Sequence, residues 1–311
     1  MTTHPVVCIG EALVDMIETE SDKGMVYLPA WGGSVMNVAC GVARLGSAVE
    51  FAGSLSHDPL GAKLRSFIAD QGVGLNLAVD IDTQTTIAMT TFVNAEPRYS
   101  FYGTPRSYGF CPPAIASREQ VVRAPIVHSG SLGVLEDLTH DAIVESFQAA
   151  TGTVTFDPNV RPAMVDDWDT YRARVGQLLQ YANVVKYSVE DIEALYPNSS
   201  PDTVAYATLA EGASVVIVTH AGDGADVFTT AEHTRVPIPS GHDVIDTTGG
   251  GDSVMAAIIH QMAQHGTPTD HAGWVHVVSQ ALIVSAIVCS RRGGAIAMPT
   301  GDEARAAGAE F

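Results

Sequence analysis

The run Asp246-Thr247-Thr248-Gly249-Gly250-Gly251-Asp252 carries the clearest chemical signal in the chain, and the helical pattern Ser253-Val254-Met255-Ala256-Ala257-Ile258-Ile259 follows it directly. Three successive glycines ahead of a helix leave several backbone N–H groups unencumbered, where hydrogen bonding and the helix dipole together favour an anion. Asp252 then stands where an alcohol attacking a phosphoryl group held by Gly249, Gly250 and Gly251 can give up its proton, the part a base plays in phosphoryl transfer. The same aspartate also reads as an ordinary helix cap. No Gly-Lys-Ser/Thr follows the glycines, so this is not a Walker A loop. Residues 242–245 read as the strand that feeds it.

Such a loop needs a scaffold, and the preceding chain predicts one. Residues 5–10 form a short apolar run closed by glycine, a buried strand. Val38, Gly41, Val42 and Leu45 recur at helical spacing over 37–45, and Gly46 ends that helix. A strand over 49–53 and a helix over 60–71, with Leu60, Leu64, Phe67 and Ile68 on one face, complete a β-α-β-α rhythm. That rhythm marks a parallel sheet covered by helices. The middle alternates instead: Ile87, Met89, Thr91 and Val93 against Thr86, Ala88, Thr90 and Phe92. With residues 25–31 it predicts a small separate sheet. Strands then resume over 126–129, 153–157, 184–187 and 215–219. Ligands bind at the carboxyl ends of strands in open parallel sheets, so Asp157, Ser188 and Thr219 look toward one crevice. No linker or internal repeat divides the chain. The expectation is a single α/β domain over 1–311 with a β-rich lid over 12–31 and 85–110.

Composition narrows the partners. The chain is 46% hydrophobic and 16% charged, which suits a large buried core and not a disordered chain. A net charge of −19 repels phosphate backbones and anionic membrane surfaces, so neither nucleic acid nor membrane is an expected partner. Cys8, Cys40, Cys111 and Cys289 form no C-x-x-C pair and suit free thiols in a reducing cytosol. The first nine residues hold no basic segment ahead of an apolar one, so no signal peptide is expected. Residues 281–289, the most apolar late stretch, are too short to span a bilayer. The expected location is the cytoplasm.

The glycine motif resembles the C-terminal signature of the ribokinase-like (PfkB) sugar kinases, D-T-x-G-A-G-D, with Gly250 in place of the usual alanine. The N-terminal signature is similar too: Gly32-Gly33, Asn37 and Ala39, then Leu45-Gly46. Gly53 with Asp58-Pro59-Leu60-Gly61 resembles the family's G-x-x-G-x-D-x-x-G stretch. The likeness runs from about Val6 to Pro299. It implies a three-layer sandwich with a mostly parallel central sheet and a small β-rich lid, and ATP-dependent phosphorylation of a sugar hydroxymethyl group with Asp252 as base. It also implies Mg2+, a monovalent cation such as K+ near residues 289–295, and homodimers formed through the lid, where Trp31, Tyr99 and Phe101 supply apolar surface.

Roles carry over by position. Asp15 matches the sugar-binding carboxylate after the first strand, Gly32 and Gly33 the paired glycines beside the sugar, and Asn37 a sugar-hydroxyl ligand. Asp157-Pro158-Asn159-Val160-Arg161-Pro162 resembles the D-x-N-x-R loop of the fructokinase branch. There Arg161 clamps a phosphate or sugar oxygen, or pairs structurally with an aspartate, and Asn159 reaches nucleotide phosphates or metal waters. Lys186-Tyr187-Ser188-Val189-Glu190-Asp191 resembles the N-x-x-E region: Ser188 replaces the Asn, Asp191 the Glu, with Glu190 adjacent as metal-organising carboxylates and Lys186 as a phosphate contact. Thr219, Gly222 and Gly224 match the T-x-G-x-x-G nucleotide loop, with Ala221 at the first glycine position and Gly222 expected to restore the turn.

The branch resemblance is closest to fructokinases and extends to His128-Ser129-Gly130-Ser131-Leu132 and Leu195-Tyr196-Pro197. It implies fructose as substrate. The lid departs from that branch at Gly103-Thr104-Pro105-Arg106-Ser107-Tyr108. A cationic Arg98 or Arg106 there suits an acidic sugar such as 2-keto-3-deoxygluconate. A non-catalytic sugar- or nucleotide-binding regulator is the alternative of another class, although the base and the glycine loop are both present.

Overall fold

In the computed structural model, residues 4–22, 24–93, 96–241 and 243–311 are described, with the backbone alone for 92–93 and 96–99. Eight strands form the main sheet in the order His233–Val236, Ala225–Phe228, Val215–Thr219, Val184–Ser188, Thr153–Asp157, Ile126–Gly130, Val6–Ile9 and Val49–Ala52. Neighbours from Val215–Thr219 to Val49–Ala52 run parallel, and the first two strands are antiparallel. Side-chain alternation divides the core in two. Val6 and Cys8 face a cluster with Met36, Val38, Met255, Ile258 and Val278; Val7 and Ile9 face one with Ile143, Phe147, Val175 and Leu209. Helices therefore cover both faces, giving three layers, as strands that are near-continuous apolar runs require.

The expected parallel strands form, and the helix over 37–45 starts earlier, at Ser34, and ends at Gly46 in the left-handed region. The strand expected over 242–245 does not form. Residues 243–245 are irregular, Val244 and Ile245 are more than half exposed, and Ile245 N–H donates to Cys289 O at the end of a helix rather than to a strand. His242 lies outside the described residues. Apolar character alone suggested a strand where no sheet edge is available.

A second sheet has the order Gly24–Gly32, Leu13–Ser21, Ile87–Val93 and Glu96–Tyr102. Leu13–Ser21 follows Val6–Ile9, an interior strand of the main sheet, and pairs parallel with Ile87–Val93, so this sheet starts from the carboxyl end of Val6–Ile9. The short apolar stretch expected near 281–289 is part of a 19-residue helix, His271–Cys289, which by length and composition could cross a membrane. Most of it is buried inside the fold, including Trp274, Val278, Ala281 and Val284, as a core helix would be.

Asp58 ties the two sheets together. Its carboxylate caps helix Pro59–Asp70 by accepting from Gly61 N–H (2.7 Å), and it also accepts from Thr85 N–H (2.7 Å) and Oγ1 (2.6 Å). Asp58→Ala is expected to destabilise the protein by about 1–2 kcal/mol. A lower urea midpoint at unchanged m value would show it; an unchanged midpoint would show the cap to be dispensable.

Candidate active site

Asp252 lies in the first turn of helix Gly250–His265 and is 5% exposed, low enough that its oxygens must find partners within the fold. They find three. Ser34 Oγ donates to Oδ1 (2.7 Å), Asn159 Nδ2 to the same oxygen (3.0 Å) and Asn37 Nδ2 to Oδ2 (2.8 Å). Ser34 and Asn37 share one face of helix Ser34–Leu45 because they are three residues apart. Asn159 follows strand Thr153–Asp157 with a positive φ of 37°. Its Oδ1 accepts from Arg161 Nη1 (2.6 Å), which fixes the amide's orientation. Asn37 and Asn159, expected at sugar and nucleotide respectively, are thus both set against the carboxylate.

Beneath this network lie buried charges. Lys186 Nζ donates to Asp157 Oδ2 at 2.7 Å, both groups fully enclosed. Burial presses the ammonium toward neutrality, but Asp157, Asp191 and Asp252 outweigh it and hold Lys186 charged. Its Nζ would lie 3.4 Å from a Cβ placed on Gly251, so the ammonium backs directly onto the glycine turn. Glu11, given no role by the sequence reading, follows Val6–Ile9 and is completely buried. Its Oε1 accepts from Ser34 N–H (2.8 Å), capping a helix whose own cap residue is Gly33. Gly33 has φ 109°, and a Cβ there would meet Glu11 O at 2.7 Å, so only glycine fits. Burial pushes the Glu11 carboxyl up to about 7, with the nearby Arg161 guanidinium pulling it back. Ser34 was also missed; a serine directly after two glycines at a helix start is the signal that could have found it.

Asp15 lies on strand Leu13–Ser21, and a Cβ on Gly32 would overlap its carboxylate. Burial raises Asp15 to about 6, Arg161 lowering it and Asp252 raising it further. Asn37 and Asn159 thus meet on Asp252, Gly32 lies against Asp15, and Gly251 against Lys186, with Arg161 bonded to Asn159 beside them. Arg98 has its backbone in Glu96–Tyr102 opposite Thr91, and its side chain lies outside the described residues. Arg106 stands over the Phe101 ring (5.5 Å).

The expected metal carboxylates need correction. Asp191 Oδ2 accepts from Ser188 N–H (2.7 Å) and Oγ (2.8 Å), a reciprocal cap for helix Val189–Leu195, while Oδ1 accepts from Val160 N–H (2.6 Å). Asp191 is buried, with three of its lone-pair sites taken by the chain's own donors, and it holds Ser188 in the same cap. Glu190 is exposed beside it. Among the described residues no group of three or more His, Cys, Asp or Glu is placed to hold a metal ion. In the nucleotide loop, Thr219 ends strand Val215–Thr219 as expected, but Gly222 does not restore the turn. Ala221 itself takes φ 47°, and Gly224 is the position where a Cβ would strike Val236 O. Asp246 joins the two glycine loops by accepting from Thr248 N–H (2.9 Å) and Gly293 N–H (2.9 Å).

Comparison with known proteins identifies the class. The model of the pfkB family carbohydrate kinases matches residues 3–301, and the chain belongs to that family. It is 29% identical to the probable fructokinase-6, chloroplastic, of Arabidopsis thaliana over 83% of this chain and 70% of that protein. The crystal structure of fructokinase with bound ATP from Xylella fastidiosa superposes with TM-score 0.89 at 26% identity, covering 98% of each chain. That of aminoimidazole riboside kinase from Salmonella enterica, complexed with aminoimidazole riboside and an ATP analogue, gives 0.83 at 25% identity, covering 97% of this chain and 99% of that one. The protein is a sugar kinase of the ribokinase-like fold.

Gly250, the departure from the family's alanine, faces a thiol. An alanine Cβ there would sit 3.1 Å from Cys289 Sγ, a tight contact, and 3.6 Å from Ser285 Oγ. Gly250→Ala is expected to destabilise the wild-type background and to be tolerated in Cys289→Ala. The double-mutant cycle in urea should return a coupling of about 0.5–3 kcal/mol. Additive effects would show that Cys289 does not exclude the methyl group.

Proposed function

We propose that this kinase transfers the terminal phosphoryl group of ATP to the primary hydroxyl of a neutral ketohexose, fructose being the first choice, with Asp252 as base. The observation that carries this reading is the Asp252 carboxylate, held on both oxygens by neutral donors at the start of the triglycine helix. A carboxylate offers about four lone-pair sites. Ser34, Asn159 and Asn37 take three, which leaves one on Oδ2 for the incoming hydroxyl's proton. Unlike a salt bridge, neutral hydrogen bonds orient the group without tying it to a cation. The N–H groups of Gly249 and Gly251 would face the transferring phosphoryl group, Gly250 N–H donating instead to Thr247 O (3.1 Å), and Lys186 behind them would offset its charge. Exposed Val244, Ile245 and Ile296 near the same loops supply an apolar shelf for adenine, with Thr219 and Gly224 beyond.

ATP brings its own divalent ion, here Mg2+, which neutralises phosphate charge when bound. Magnesium keeps much of its water and needs only one or two protein carboxylates, and Glu190, exposed beside Ser188, is one that could serve. A monovalent cation such as K+ near residues 289–295 stays part of the proposal. Exposed Met25 and Tyr102, on one face of the four-stranded sheet, support dimerisation through that face, whereas Trp31 packs on Phe67 (5.8 Å). The free thiols support a cytoplasmic location.

Charge favours a neutral sugar over an acidic one. Glu11, Asp15 and Asp252 gather around Arg161, so a substrate carboxylate would meet more negative than positive charge. In an assay of ADP release over a sugar panel, kcat/KM for fructose should exceed that for 2-keto-3-deoxygluconate at least about tenfold. The reverse order would overturn the neutral-sugar reading.

Asp15 must be ionised to accept two sugar hydroxyls, and its raised pKa places the loss of that form near pH 6. Because the carboxylate is the active form, kcat/KM should fall as pH drops through about 6. Asp15→Asn should lower kcat/KM at neutral pH by about 10–100-fold, the worth of a charge-assisted hydrogen bond, and flatten the acid limb. A limb of unchanged depth in the variant would assign it to another group.

A further inference from the structure

We propose that Ser34 is a second phosphoryl acceptor, and that without sugar the kinase phosphorylates its own Ser34 from bound ATP. The proposal rests on Asp252 acting as base. Ser34 Oγ donates to Asp252 Oδ1 at 2.7 Å, the relation a substrate hydroxyl must adopt before attack. It also accepts from Asn159 Nδ2 at 2.6 Å. A serine hydroxyl has one proton and two lone pairs, so with one donated and one accepted bond a single lone pair remains for phosphorus. Asn37, on the same helix face, occupies the other carboxylate oxygen, so the two side chains grip the base together.

Ser34 opens helix Ser34–Leu45, and Asp252 lies in the first turn of Gly250–His265, so the two helix N-termini meet where the phosphoryl group would be held. In the transfer, a bond forms between Ser34 Oγ and the γ-phosphorus while the bond from that phosphorus to the β–γ bridging oxygen breaks. ADP leaves with the electron pair, and the serine proton passes to Asp252 Oδ1. Ser34 is 7% exposed, too enclosed for the active site of another protein kinase to reach. Any phosphate on it must therefore come from nucleotide in its own cleft. A bound sugar, presenting its hydroxyl at Oδ2, competes for the same phosphoryl group.

The test incubates the full chain with Mg2+ and γ-labelled ATP, with and without saturating fructose, and locates the label by peptide mass spectrometry. The expected result is phosphate on Ser34 that is suppressed by fructose, lost in Asp252→Asn and in Ser34→Ala, and retained in Ser34→Thr. Sugar kinase activity should fall in proportion to the labelled fraction, since a phosphoserine would occupy the anion cradle's approach. If fructose is phosphorylated and Ser34 stays unlabelled, the proposal falls while the kinase reading stands. Label on Ser34 with no transfer to fructose would uphold the proposal and sink the sugar choice, and transfer to neither acceptor would sink both. Equal labelling in Asp252→Asn would also overturn it, because the step needs that base.

Discussion

Three segments distant in sequence meet on one carboxylate: Ser34 and Asn37 from an early helix, Asn159 from a mid-chain loop, and Asp252 from a late helix. A buried aspartate left without such partners would cost several kcal/mol or take up a proton. The fold must therefore bring these segments together to give the Asp252 oxygens partners in so enclosed a place. Helices Ser34–Leu45 and Gly250–His265 manage this by close packing: a Cβ on Gly41 would come within 2.6 Å of Ala256 Cβ. Glu11 secures the start of the first helix from the end of a central strand. The sheet register, the helix crossing and the base are in this way one mechanical unit.

The same arrangement concentrates unfavourable charge. Glu11, Asp15 and Asp157 are all pushed upward by burial, to about 7, 6 and 6. Each raised pKa means that the ionised group costs stability in the folded chain, a cost that is absent below the ordinary carboxylate range and grows as pH rises through those values. Lys186 and Arg161 offset part of it.

Much of this was legible in the sequence, because apolar strands ending in small or polar residues and helices ending in glycine have few alternative readings. The parallel strands and the glycine loop fell where periodicity and turn chemistry placed them. What escaped depended on tertiary partners. Ala225–Phe228 and His233–Val236 are short and carry Asp226, His233 and Arg235, whose mutual ion pairs offset the burial that their polarity obscures. Asp191 stands where the resemblance implies a metal-organising carboxylate, yet the same position also suits a capping box, and the structure shows the box, with Val160 N–H on the other oxygen. Ala221 shows that a non-glycine residue can take the left-handed turn when Gly224 absorbs the tighter contact. Glu11 was silent because its position has no meaning until the helix it caps is docked.

The central claim is that the carboxylate of Asp252, and not merely the shape around it, receives the acceptor's proton. Single-turnover phosphoryl transfer in Asp252→Asn, beside calorimetric sugar affinity, tests it most directly, since asparagine preserves size and hydrogen bonding but is not a base. The account predicts a transfer rate lower by about 10²–10⁴-fold with sugar affinity changed only a few-fold. Transfer at a rate comparable to the unmutated chain would contradict it.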